Sequence, residues 1–159
     1  MSARADAPAA QGGSRLRAIA RAPRAWIVAL GILGVVDSIY LIYIHYSASS
    51  PFCSGVGDCE TVNTSRYATM AGVPVAVLGL LAYVVFIGLQ LTALRRPASA
   101  ARAAIATFAL AFTSLLFSLW LLYVELFVLH AICPYCVVSL GLITAITVVS
   151  VWPAWQALG

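Results

Sequence analysis

Four long apolar stretches, residues 26–46, 73–94, 103–129 and 136–152, decide what this chain is able to fold into. Each reaches the roughly 17 residues that an α-helix needs to cross a hydrocarbon core. Inside lipid there is no water to satisfy a peptide N–H or C=O, so each stretch has to close its own hydrogen bonds as a helix. Four such helices predict an all-α integral membrane protein, a four-transmembrane-helix bundle. Composition agrees. Hydrophobic residues make up 63% of the 159 positions and charged residues 9%, where soluble domains carry roughly 25% charge. Water-soluble globular classes are thereby excluded, and no nucleic-acid partner is expected.

Arginine orients the bundle. Arg15, Arg17, Arg21 and Arg24 precede the first stretch, and Arg95, Arg96 and Arg102 lie between the second and third, whereas the other side has only Arg66. Cytoplasmic loops carry the positive excess. Both termini and the second connection are therefore expected in the cytoplasm, with residues 47–72 and 130–135 on the outer, periplasmic face. A cleaved secretion signal is not expected, because the first apolar run exceeds the 7–15 residues of a signal core. All nine basic residues are Arg, which reads as the codon bias of a GC-rich genome and points to a bacterial inner (plasma) membrane. Residues 1–24 are expected to be a disordered basic tail with nothing to bury, residues 25–153 the membrane domain, and residues 154–159 a short C-terminal tail.

Four cysteines fall at the outer face in two pairs, Cys53-x5-Cys59 and Cys133-Pro134-Tyr135-Cys136. The outside of a bacterium is oxidising, so thiols there form disulfides, and two pairs on one side describe a thiol relay. Cys133 opens the last helix, where the helix dipole and unpaired amides favour a thiolate. Pro134 is tolerated in that first turn, since its missing N–H has no partner to lose. Cys136 faces the same way about 4.5 Å deeper, at 1.5 Å per residue. One sulfur then meets water and the other lipid. That offset suits disulfide exchange with the outer loop at Cys133 and reduction of a lipid-soluble acceptor, a quinone, at Cys136. Gly55 and Gly57 let the Cys53–Cys59 loop close and reopen, as a shuttle must. Two other readings stand beside this one: permanent disulfides that pin a loop or helix end, and a soft-metal site made from the four thiols.

Residues 60–70 are more polar and are expected to form a short amphipathic or re-entrant helix before the break at Gly72-Val73-Pro74. Taken together, Cys-x5-Cys, Ser65 six residues after Cys59, Gly-Val-Pro ahead of a helix, and Cys-Pro-Tyr-Cys at the last helix resemble the vitamin K epoxide reductase family over about residues 26–152. The order of the pairs differs from DsbB-type quinone reductases, which carry Cys-x2-Cys in the first outer loop. The resemblance implies a membrane thiol oxidoreductase that oxidises a periplasmic thioredoxin-fold, DsbA-like protein and supports disulfide formation. It makes Cys53 and Cys59 the shuttle pair, Cys133 the interchange cysteine and Cys136 the quinone-facing cysteine, with menaquinone or ubiquinone as acceptor. Ser65 matches the family's loop serine, expected either to donate to a quinone carbonyl or to cap the short helix. Asn63, part of an Asn-x-Ser sequon, is a second candidate donor. Some relatives fuse a thioredoxin domain after an added helix; with the sequence ending at Gly159, that partner is expected to act in trans. Reduction of vitamin K epoxide is the alternative within the same class.

Asp37 and Glu125 lie inside apolar stretches, where a charge at the helix centre is unfavourable by about 2.5 to 3.5 kcal/mol. Each is expected either to relay protons for quinone reduction or to hydrogen-bond between helices in its neutral form. His45 and His130 read as interfacial side chains, His130 close enough in sequence to Cys133 to favour its thiolate when protonated. Trp26, Tyr46, Trp152 and Trp155 read as an interfacial aromatic belt.

Overall fold

The computed structural model describes residues 7–47 and 59–158. These form helices α1 (Ala7–Ser47), α2 (Cys59–Thr64), α3 (Val75–Arg95), α4 (Ala100–Val124) and α5 (Pro134–Leu158), with two-residue strands β1 (Thr69–Met70) and β2 (Val73–Pro74) between α2 and α3. A 3-10 turn, Pro97–Ser99, joins α3 to α4, and a wide π turn, Glu125–Leu129, prolongs α4. Four segments are long and apolar enough to cross a membrane: Ala22–Ser47, Val75–Arg95, Pro97–Leu129 and Pro134–Leu158. The protein is thus an all-α, multi-pass membrane protein with four spanning helices, as the apolar stretches predict.

The ends of the helices differ from expectation. The basic segment drawn as a structureless tail is helical from Ala7 and runs through Pro23 into the first span. Alanine and arginine are strong helix formers, and adding residues to an existing helix avoids the unfavourable nucleation step. Likewise α5 runs through Pro153 to Leu158, with Ala154 buried beyond the proline. The glycine-bearing loop around Cys53, expected to be mobile, lies outside the described residues.

Each long helix touches two others, giving the ring order α1, α3, α4, α5, with the α3–α4 seam the least closely packed of the four. Lipid chains are as apolar as leucine, so close packing rather than the hydrophobic effect holds such helices together. At the α1–α3 seam this closeness needs glycine. A Cβ at Gly34 would overlap the ring of Tyr83, and one at Gly31 would lie 2.9 Å from Cγ1 of Ile87. Tyr83 thereby enters the core with Ile27, Phe86, Ala111, Ile143 and Ile146. Toward the arginine end the buried Gln90 Nε2 donates to Thr107 Oγ1 at 2.8 Å, and Thr107 Oγ1 in turn donates to the Ala103 carbonyl at 2.8 Å. Val36 and Val148, 61% and 66% exposed, face outward, where the solvent is lipid.

The hairpin sets where the second span begins. Thr69 pairs with Pro74 and Met70 with Val73, leaving Ala71 (φ 51°) and Gly72 (φ 82°) to turn the chain. Both sit in the left-handed region, as a two-residue type I′ turn requires. The Val75 amide then donates to the Ala68 carbonyl at 2.8 Å. Helix α3 therefore starts at Val75, two residues after the apolar stretch begins.

Candidate functional site

The chain alternates direction, so the C-terminus of α1, the N-terminus of α3, the C-terminus of α4 and the N-terminus of α5 meet at one end, under α2. Cys133 precedes the first residue of α5 and its carbonyl accepts from the Val137 amide at 3.1 Å, which opens the helix with Pro134 in its first turn. Cys133 and Cys59 are both fully buried and belong to one apolar cluster with Leu41, Val62 and Ala131, against which Cys136 packs. Cys133 and Cys136 are free thiols, whereas Cys59 is disulfide-bonded. The Cys136 S–H beside Cys133 pulls the Cys133 thiol below its ordinary value, against the burial that raises it. A sulfur poised to be a thiolate is the reactive partner in disulfide exchange.

Glu125 supports this corner from below. It opens the π turn that ends α4, and after it His130 takes a left-handed conformation (φ 51°, ψ 33°). The Ala131 amide reaches back to the Glu125 carbonyl at 3.1 Å. The 3%-exposed side chain then lies under α5, where Oε2 accepts from the Cys133 amide at 3.2 Å. That bond satisfies one of the amides a helix start leaves without a partner. The same carboxyl is within hydrogen-bonding reach of the Cys136 thiol.

Cys136 opens onto a cavity of about 370 Å³ between the outer halves of α3 and α4. Its walls are apolar residues such as Ala82, Leu110, Phe117 and Leu122, and Asn63, Ser65 and Tyr67 roof it. Apolar walls with a few convergent polar groups are what a small-molecule site offers. Both roof candidates already hold bonds within the protein. Ser65 Oγ donates to the Val62 carbonyl at 2.8 Å, closing the C-terminal end of α2, and Asn63 Nδ2 donates to the Leu41 carbonyl at 2.9 Å. His45, with no partner apparent in the sequence, donates from Nδ1 to the Asn63 carbonyl at 2.8 Å, so two bonds fasten α2 to α1.

Three polar groups escaped the sequence reading. Ser139 lines the cavity one turn below Cys136; its Oγ is 2.9 Å from the hydroxyl of Tyr83, which also donates to the Ser139 carbonyl at 3.2 Å. Ser38 lines the α1 side. The spacing Cys136, Ser139, Ile143 marks one face of α5 and was the available signal for Ser139. Asp37 sits behind this group, 8% exposed, its carboxyl within hydrogen-bonding reach of Ser139 and its Oδ2 without a partner among the described residues. Also among the described residues, no three His, Cys, Asp or Glu side chains converge as a metal site would need.

A dithiol at the start of a membrane helix, its first sulfur buried and its deeper one on an apolar cavity, defines a membrane thiol oxidoreductase. The model of the Vitamin K epoxide reductase family matches residues 25–151, which takes in the second and third spans whole and most of the first and last, and the chain belongs to that family. It is accordingly an enzyme of the thiol and quinone oxidoreductase type, with a quinone as the redox partner general to the family.

Proposed function

We propose that the protein oxidises a periplasmic, DsbA-like thioredoxin-fold dithiol protein in the bacterial inner membrane and passes the electrons to a membrane quinone, so that its net output is disulfide bonds. Electrons enter through Cys53 and Cys59, cross to Cys133, and leave from Cys136. The observation that carries this reading is the position of Cys136: one sulfur neighbour is Cys133, packed with Cys59, and its other side is an apolar cavity. A quinone ring fits such walls. For its polar edge Asn63 has a second amide hydrogen beside the one given to Leu41, and the Ser139 hydroxyl lies on the cavity wall, while a donor bond from Ser65 requires its hydroxyl to turn away from the Val62 carbonyl. Disulfide exchange conserves electrons, each step moving one pair from dithiol to disulfide, and direction follows reduction potential.

Trapping tests it. Cys53→Ser and Cys59→Ser, made singly, remove one partner of the shuttle pair and strand the other in its last exchange. One of the two is expected to accumulate a mixed disulfide with a secreted thioredoxin-fold protein, seen as a reducible band and identified by mass spectrometry. Absence of such a species in both variants, with the purified protein turning over vitamin K epoxide as fast as quinone, would replace this role with epoxide reduction.

A further inference from the structure

Of the acids in the described spans, Glu125 alone contacts the redox pair, reaching the Cys136 thiol and the Cys133 amide. Oxidising a dithiol to a disulfide releases two protons, and reducing a quinone to a quinol takes up two. The proton balance therefore closes within the site, and no route to water is needed. What is needed is a group that moves a proton from sulfur to quinone oxygen. Such a group has to reach the Cys136 thiol and also line the cavity. Glu125 does both, and its Oε2 is held in place by the Cys133 amide. Other polar groups nearby meet only part of this. Asp37 lies behind Ser139 and does not line the cavity, and the Ser65 hydroxyl is directed at the Val62 carbonyl. The π turn begins at Glu125 and its extra residue shifts the chain that follows, which leads by way of His130 and Ala131 to the Cys133 amide that this carboxylate accepts from; such turns recur at functional sites.

We infer, on the basis of the quinone-reducing role proposed above, that Glu125 is a catalytic residue: it accepts the proton of the Cys136 thiol and delivers it to an oxygen of the quinone in the cavity. The S–H bonds of Cys133 and Cys136 break and one S–S bond forms between them. The electron pair reduces the quinone, and the two protons finish on its two oxygens. Glu125 carries the Cys136 proton first; the Cys133 proton then passes to the Cys136 sulfur beside it and on to Glu125, which ends as the carboxylate it began as. Among the described residues, the titratable groups that interact with it are the thiols of Cys133, just ahead of α5, and Cys136, in its first turn; Tyr67 and Tyr83 line the same cavity.

The test uses the purified full-length protein with dithiothreitol as donor and a short-chain ubiquinone as acceptor. Glu125→Gln keeps a carbonyl oxygen to accept from the Cys133 amide and loses the ability to take a proton. Its kcat is expected to fall about 100-fold, the ordinary size of a general acid–base contribution, with KM for quinone within twofold of the parent. The acid-side limb of the pH–rate profile, where the carboxyl is protonated and accepts nothing, disappears, while the alkaline-side limb of the thiols stays. In Glu125→Ala, added formate restores rate. A Gln variant as fast as the parent overturns the inference and leaves the quinone role intact. A parent enzyme that reduces no quinone overturns both. If neither variant folds, the parent decides: a rate flat through the acid side removes the proton acceptor.

Discussion

At the scale of the residue, the site works by making two neighbouring cysteines unequal. Cys133 sits at the helix start with Cys136 donating toward it, and Cys136 sits one turn deeper on the cavity. Because the lowered Cys133 value comes first from that neighbouring S–H, removing the donor raises it. The Cys133 thiolate should thus persist to lower pH than an ordinary cysteine, and Cys136→Ala should move that midpoint upward. The measurement is the pH dependence of Cys133 modification by a small methanethiosulfonate. An unmoved midpoint would assign the shift to the helix start instead. Asn63 makes a second residue-scale case. Its amide ties α2 to the Leu41 carbonyl, and a half-buried bond of this kind contributes about 1 kcal/mol. Asn63→Leu should lower stability by about that much in detergent melts. It should also slow quinone reduction, since the cavity roof then loses its fastening to α1.

At the scale of the element, the spans were legible and the joints were not. About 17 or more apolar residues announce a helix without any structure, and Cys133-Pro134-Tyr135-Cys136 announces a helix start, because proline in the first turn leaves no amide unsatisfied. The hairpin of α2 to α3 gives no such signal. Two-residue strands have no periodicity to read, so Gly72-Val73-Pro74 shows a break but not a reversal. The π turn at Glu125 was equally hidden, since nothing in Glu125–Leu129 departs from a helical pattern. Hence Glu125 was visible as a suspect acid, but its contact with Cys133 was not. The hairpin also carries a testable weakness. Ala71 holds φ 51°, a left-handed conformation unfavourable by about 1 to 2 kcal/mol for a residue with a Cβ. Ala71→Asn places at that position the residue type I′ turns prefer. It should raise stability by about 0.5 kcal/mol, while Gly72→Ala, at φ 82°, should lower it by about 1 kcal/mol. Thermal unfolding of the two variants in detergent separates a strained turn from a tolerant one.

At the scale of the whole molecule, four alternating helices bring all the chemistry to one end and leave Arg95, Arg96 and Arg102 at the other. That separation connects electron flow to membrane orientation. An enzyme that makes disulfides works only if its exchange face lies in an oxidising compartment, and charge bias sends the arginine end to the cytoplasm. The two requirements are independent, and the orientation proposed above is the one that meets both. Met70 at the hairpin and Ala98 in the α3–α4 connection mark the two ends with exposed positions. In a cysteine-free background, a membrane-impermeant maleimide added to intact cells should modify Met70→Cys at once and Ala98→Cys only after lysis. The opposite pattern would put the dithiol among reduced cytoplasmic thiols, where electrons would have no secreted protein to come from and the Cys136 cavity would serve a reductive purpose.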